Sequence, residues 1–301
     1  YNGQSHLHAL LASIATQSHE DWTLHVRDDG STDRTLAIVT EFAREHPERV
    51  ILHASDSGNL GPAGNFGALL SAAQGPYITF CDQDDVWLPE RISLLAGRMG
   101  ELEDDLGLET PLLVHSDMTV VDDHLNVLGD SFWRYQNMDP KLCGLPRLLT
   151  QNVVTGCALM LNRAMADRAG AIPPEAVMHD WWIALVASLF GHIEAIDTPT
   201  LLYRQHASND TGAKRWSNEY IRQQAVEVFG PARRKKLQRT ADQAAVILDR
   251  YREDLSEADQ RTLSAYANLL NASPLARPWI VLKYGFLKQG LRRNIGHWLS
   301  L

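Results

Sequence analysis

Apolar positions in the first hundred residues fall into two alternating rhythms. Leu7, Leu10, Leu11 and Ile14 recur at helical spacing, and Trp22–Val26 then reads as a strand. Leu36, Ile38, Val39 and Phe42 mark a second helix, Val50–Leu52 a short strand, Ala63–Ala73 a third helix, and Tyr77–Cys81 a further strand. Strands alternating with helices over short turns imply a parallel sheet wrapped by helices. The rhythm changes at Leu112. Leu112–His115 and Met118–Val121 read as two strands around an acidic turn, Val153–Leu161 as another, and Thr200–Tyr203 as one more, which predicts a mixed sheet in the second half. Beyond Asn218 the pattern is almost wholly helical, with breaks at Gly230-Pro231, Pro274 and Pro278.

Acids gather where the strands end. Asp82, Asp84 and Asp85 follow the apolar run Pro76–Phe80, and carboxylates this close repel one another unless something compensates. A divalent cation would do so, and hard oxygen ligands suit Mg²⁺ or Mn²⁺. The other reading is a solvated turn that caps a helix from about Leu88, and helix capping also accounts for Asp85. In open α/β sheets ligands collect at the carboxyl ends of strands, which favours the cation. Asp28-Asp29-Gly30-Ser31-Thr32-Asp33 forms a second such corner after Trp22–Val26. Turn and cap chemistry explain Ser31 and Asp33; Asp28 or Asp29 is placed to accept a base imide or a ribose hydroxyl. The glycine-rich run Gly58–Gly67 matches neither a P-loop nor GxGxxG, so a Walker-type NTPase or a hydride-transfer enzyme loses its main support.

Composition narrows the class. The 301 residues, 45% hydrophobic and 22% charged, suit one large or two modest globular domains. A net charge of −9 gives no reason to expect nucleic acid as a partner. The charge is unevenly spread: residues 1–259 hold 22 bases against 37 acids, while six bases and no acid follow Asp259. Cys81, Cys143 and Cys157 have neither CxxC spacing nor an even count, which points to reduced thiols and a cytoplasmic setting. No apolar run approaches the roughly 18 residues that a spanning helix needs.

The ordered strings Tyr1-Asn2-Gly3, DDGSTD from Asp28, NLGPAGNFG from Asn59 and YITFCDQDDVWLPERI from Tyr77 resemble family 2 inverting glycosyltransferases of the GT-A fold. The likeness continues through Asn152–Met160, His179–Trp182 and Leu202–Asn209, where it is to the bacterial rhamnosyltransferase-like branch. It covers about residues 1–210, lacks that family's first strand, and has Gly64-Asn65 where many relatives carry Arg-Asn.

The resemblance implies a GT-A catalytic domain over 1–215, with a Rossmann-like mixed sheet between helices, and a helical region over 216–301. It implies that Tyr1, Asn2, Asp28, Asp29, Asn59, Gly64, Asn65, Asp82 and Arg204 meet a dTDP-, UDP- or GDP-linked sugar. Asp84 and His206 would hold Mn²⁺ or Mg²⁺, and Arg204, Asn209 and Lys214 would face phosphate. Asp180 corresponds to the general base that activates the acceptor hydroxyl, with Thr155, Gly156, Trp181 and Trp182 on the acceptor side. From the residues alone, Asp180 is equally readable as a helix N-cap, at least one tryptophan as core, and His206 as a surface histidine.

The expected reaction is transfer of rhamnose or another hexose to a polysaccharide or lipid-linked oligosaccharide. A nucleotidyltransferase acting on sugar phosphates and a non-catalytic nucleotide-sugar-binding module are the alternatives. In the C-terminal segment, Trp279–Lys288, Leu291-Arg292-Arg293 and Trp298 combine aromatics and bases, and Arg233–Lys236 adds more. This is the composition of a peripheral helix on the inner, anionic face of a plasma membrane; packing on the catalytic domain or in a homodimer is the other reading.

Overall fold

The computed structural model describes residues 1–55, 58–206 and 231–298, with only the backbone of 231–233. Asn209, Lys214 and the Arg233 side chain lie outside the described residues.

An α/β unit opens the chain. Helix α1 (Leu7–Ala15) turns Leu7, Leu10, Leu11 and Ile14 inward. Strands β1 (Leu24–Arg27) and β2 (Val50–His53) pair in parallel, with Leu24 opposite Val50. Their crossover, α2 (Thr35–Glu45), buries Ile38, Val39 and Phe42 at the spacing the sequence announces. Helix α3 (Gly61–Ala72) leads on to β3 (Tyr77–Thr79).

At β3 the expected continuous parallel sheet gives way. β1 and β2 stay a two-stranded sheet, while β3 pairs antiparallel with β7 (Leu159–Asn162) in a six-stranded mixed sheet. Local periodicity reports which face of a strand is apolar; which strand lies beside it is fixed by distant packing. The rest of that sheet comprises β4 (Val86–Trp87), β5 (Leu112–Val121), β6 (Val127–Gly129) and β8 (His192–Arg204).

β5 corrects a second expectation. It is one ten-residue strand rather than two around a turn, with its register against β8 shifting on either side of Asp117. The Asp117 carboxylate accepts the amides of Met118 and Trp133, so the acid serves an irregularity in the strand instead of a solvated turn. Residues 153–158 of the expected Val153–Leu161 strand are likewise not strand: an irregular stretch and a 3-10 turn over Gly156–Ala158 precede β7. Helix α4 (Arg91–Leu106) begins three residues later than expected, because Val86 and Trp87 pair with Leu202 and Leu201 of β8.

Leu112 and Val114 of β5 face one apolar cluster and Leu113 the other, as strand alternation requires. The first cluster holds α1, α2 and α4. The second lies under α6 (Leu145–Thr150), α7 (Arg163–Ala169) and α8 (His179–Phe190), which follow the short α5 (Phe132–Gln136). Helices α9 (Pro231–Arg250), α10 (Glu257–Ala267) and α11 (Arg277–Tyr284) close that cluster with Leu237, Ala244, Ile247, Leu263, Tyr266 and Val281. Pro278 sits in the first turn of α11, where its missing N–H costs nothing, and so starts a helix rather than breaking one. The last element is α12 (Leu291–Trp298).

Candidate active site

The acidic corner is built where β3 runs out. The Asp85 amide turns back to the Asp82 carbonyl at 3.4 Å, and β4 then fastens the outgoing chain to β8. Arg204, at the end of β8, ties this turn down twice and joins it to the Asp123 loop. Its amide donates to Asp85 Oδ1 at 3.1 Å, its Nε to the Asp84 carbonyl at 2.7 Å, and its Nη1 to the Asp123 carbonyl at 2.6 Å. Two residues on, His206 Nε2 lies 2.9 Å from Asp84 Oδ2. The His206 ring stacks on His6 with centroids 4.9 Å apart, and His6 Nε2 is 3.3 Å from Asp123 Oδ1. The two residues expected to hold a metal are therefore brought together.

Acidic groups are crowded in this corner. Asp82, Asp85 and Cys157 each bring a donor atom within 4.8 Å of the others. Asp85 is 1% exposed, and its Oδ2 has no hydrogen-bond partner among the described residues. Burial, then the charges of Asp82 and Asp84, push the Asp85 carboxyl well above its ordinary range. Burial likewise raises the thiols of Cys81, to about 12, and Cys157, so both are neutral. The counter-charge inside the protein is Arg91, 1% exposed, which donates to the Cys157 carbonyl at 2.7 Å, to Thr79 Oγ1 and to Thr200 Oγ1. Neither Arg91 nor His6 was singled out in the sequence. A base on the helix that follows an acid cluster was the available signal for Arg91; His6 carried none.

The DDGSTD corner divides its labour. Asp29 is buried and accepts Arg27 Nη1 at 2.6 Å and the amides of Leu60 and Gly61 at 2.8 Å each. Burial works to raise its carboxyl, but those N–H donors outweigh it and hold the group below the ordinary range. Asn59 and Asn65 join the same lattice: Asn59 Nδ2 donates to the Asp29 carbonyl, and Asn65 Oδ1 accepts from Arg27. Asp29 thus anchors the loop that opens α3. Gly64 lies one turn into that helix, where a Cβ would approach the Leu60 side chain at 3.1 Å.

Asp28 is half-buried; among the described residues its carboxylate accepts only from its own turn, the Gly30 and Ser31 amides and the Ser31 hydroxyl, while its carbonyl accepts the Ser55 hydroxyl. The N-terminal residues lie over this turn. The Asn2 amide donates to Ser31 Oγ, and Asn2 Oδ1 accepts the Thr32 amide. A Cβ at Gly3 would fall 2.7 Å from Gln83 Cγ, so Tyr1-Asn2-Gly3 bridges the DDGSTD turn and the Asp82–Asp85 turn.

Asp180 is the second residue of α8. The N-cap is Met178, so the capping alternative does not describe this structure. Asp180 Oδ2 instead accepts the Gly156 amide at 2.9 Å. Burial raises its carboxyl to about 6, against the lowering effect of the Gly156 and Trp181 amides and the Asn152 side chain. The following residue, Cys157, reaches the acidic corner, so the 3-10 turn links Asp180 to Asp82 and Asp85. Thr155 precedes it, half-buried, its carbonyl accepting the Ala158 amide.

The tryptophans are corrected. Trp182 is wholly buried and donates Nε1–H to the Ala169 carbonyl; Trp181, 8% exposed, donates to the Leu148 carbonyl at 2.6 Å. Both rings belong to the core under α6 and α7 and offer no face to a sugar. The neighbouring His179 is buried between Phe66 and Phe80, where desolvation lowers its imidazole to about 3.

Comparison with known proteins shows the family and the fold. Residues 1–165 match the family model described as glycosyl transferase family 2. An uncharacterised glycosyltransferase of Nostoc is 25% identical over 70% of this chain and 64% of its own length. The dTDP-rhamnosyl transferase RfbG of Shigella flexneri is 26% identical over 71% of this chain and 73% of its own. The chain spans 57 to 64% of the length of the first curated relatives that it matches. Among solved structures, TarS 1–349 of S. aureus with UDP-GlcNAc superposes with a TM-score of 0.54 at 16% identity, covering 100% of this chain and 88% of that one. The mannosyltransferase PcManGT of Pyrobaculum calidifontis, with GDP-Man and Mn²⁺, gives 0.51 at 20% identity over 92% and 69%. These structural likenesses carry the fold, which is GT-A. With the acidic turn and the DDGSTD corner both inside the matched span, the chain belongs to glycosyl transferase family 2.

Proposed function

We propose that the chain is an inverting glycosyltransferase. It moves a hexosyl or deoxyhexosyl group, rhamnose among them, from a nucleoside diphosphate to a hydroxyl of a glycan or a lipid-linked glycan. One observation supports this most: a half-buried carboxyl, raised to about 6, linked by a three-residue turn to a crowded group of carboxylates. Two sets of acids with opposed tasks suit a reaction that takes a proton on one side and releases a diphosphate on the other.

Asp180 takes the proton of the acceptor hydroxyl as that oxygen attacks the anomeric carbon. A carboxyl near 6 is ionised at neutral pH yet more basic than an ordinary aspartate, and general-base catalysis of this kind contributes roughly 10²- to 10⁴-fold. The Gly156 amide fixes the direction of the carboxylate. Asp28, whose carboxylate accepts only from its own turn among the described residues, and Tyr1 and Asn2 beside it would receive the base and ribose. Asp82 would take a ribose hydroxyl.

The donor set suits a hard divalent cation. Carboxylates and an imidazole converge, both nearby thiols are neutral, and Asp85 Oδ2 has no hydrogen-bond partner among the described residues. Asp84 and His206 are the residues that would hold Mn²⁺ or Mg²⁺. When bound, such an ion supplies Lewis-acid stabilisation of negative charge on the departing diphosphate.

The test is Asp180→Asn assayed with a panel of UDP-, GDP- and dTDP-sugars in Mn²⁺. Donor binding, followed by calorimetry, should persist while sugar transfer falls by about 10² or more. Transfer at the wild-type rate would remove Asp180 from the reaction. Unchanged donor binding with no transfer by the wild type to any glycan acceptor would favour a binding module.

A further inference from the structure

Helices α11 and α12 are each buried along one side. Val281 and the following Phe286 close the core beneath α11, and Gly296 and His297 are the buried positions of α12. The opposite side of α11 is apolar and open. Leu275, in the turn before the helix, is 93% exposed, Trp279 61% and Leu282 60%. Trp279 and Leu282, three apart, share one face of the helix, and Leu275 stands exposed just ahead of it. Leu291 and Ile295, four apart and more than half exposed, repeat the pattern on α12. Isolated exposed leucines need no explanation, but a tryptophan and four aliphatics exposed on, or just ahead of, two consecutive helices do.

The charges beside them share one sign. No acid follows Asp259, while Arg277, Lys283, Lys288, Arg292 and Arg293 lie on or beside these two helices; Arg261, on α10, is paired with Glu257. The Lys283 ammonium lies 4.9 Å from the Trp279 ring centroid and 5.2 Å from that of Tyr284. Arg277 Nη2 donates to the Leu270 carbonyl at 2.8 Å, and Arg293 donates to the carbonyls of Gln136 and Asn137, so bases are fixed on both helices.

We propose that this face of α11 and α12 docks on an anionic lipid bilayer. A tryptophan paired with a cation suits the headgroup level, where the ring meets acyl chains and the charge meets phosphate. The aliphatics enter the acyl boundary, and the bases are drawn to anionic lipid within a Debye length. A second copy of the same face would bring like charges together and so is disfavoured. No described helix is long and apolar enough to cross a membrane, so the association lies in the interface plane. The surface is independent of the catalytic reading and stands or falls without it.

Co-sedimentation of the full chain with vesicles tests it. The chain should bind phosphatidylcholine vesicles containing phosphatidylglycerol, bind pure phosphatidylcholine weakly, and be released by high salt. The combined variant Leu275→Ser, Trp279→Ser, Leu282→Ser should lower partition by at least about tenfold. Lys283→Glu should lower it several-fold, and both variants should keep the wild-type melting temperature. No binding by the wild type to mixed vesicles overturns the proposal, as does equal binding by the triple variant. So does a wild-type dimer in sedimentation equilibrium that the triple variant dissolves.

Discussion

The Gly156 amide donates to Asp180 Oδ2 at 2.9 Å, and the space above that glycine is filled by the His179 ring. A Cβ at position 156 would lie 2.7 Å from His179 Nε2 and 3.5 Å from Asp180 Cβ. Gly156→Ala must therefore push α8 or the 3-10 turn aside. His179 cannot retreat, being packed between Phe66 and Phe80. The expected result is a loss of about 1–3 kcal/mol in stability and a fall in kcat of roughly 10²-fold with donor affinity retained. Chemical denaturation and donor titration measure the two parts. Normal kcat would show that the turn does not hold the carboxylate in place.

Asp180 also sets a pH dependence. With its carboxyl at about 6, kcat/KM should fall tenfold per unit below that pH, and Asp180→Asn should lose this limb. Stability runs the other way. A carboxyl raised on folding binds its proton more tightly in the folded state, so stability falls as pH rises from the unfolded value of 3.8 to about 6. At pH 7.5 Asp180→Asn should thus be as stable as wild type or more so, by up to roughly 3 kcal/mol. A variant that melts well below wild type at pH 7.5 and not at pH 4 would contradict the burial that raises this group.

How far this site could be read in the sequence differs from one residue to the next. Helix periods survive translation to structure, since Leu7–Ile14 and Ile38–Phe42 face the core as their spacing demands. Strand partners do not, because the pairing of Ile78 with Leu161 joins residues far apart in the chain and no local pattern encodes it. The acid clusters announced the site, but sequence could not divide Asp28 from Asp29. Arg27 decides that: its guanidinium sequesters Asp29 and leaves Asp28 to its own turn. The tryptophans misled because an aromatic beside a proposed catalytic carboxylate looks the same in sequence whether it faces a ligand or the core.

That division predicts two unlike phenotypes. Asp29→Ala strands the buried Arg27 and leaves the Leu60 and Gly61 amides unpaired, which should cost about 3–5 kcal/mol. Asp28→Ala removes only turn bonds and should cost about 1 kcal/mol or less, while weakening nucleoside diphosphate binding by tenfold or more. Denaturation and calorimetry with UDP, GDP and dTDP separate them. Equal donor affinity in Asp28→Ala, with the fold intact, would move the base-binding role elsewhere.

Arg204 makes the last case. Resemblance assigns it to donor phosphate, yet its Nε and Nη1 donate to the carbonyls of Asp84 and Asp123 and its amide to Asp85. Its side chain spans two loops with planar geometry that an ammonium cannot copy. Arg204→Lys should therefore loosen the acidic turn despite keeping the charge, weakening Mn²⁺ binding about tenfold and lowering the melting temperature. Asp84→Asn should abolish most Mn²⁺ binding with a smaller effect on melting, because Asn can still meet His206. If Arg204 acts only through phosphate, Arg204→Lys will leave Mn²⁺ affinity and melting unchanged and affect nucleotide binding alone, and calorimetry with Mn²⁺ before nucleotide is added decides between the two.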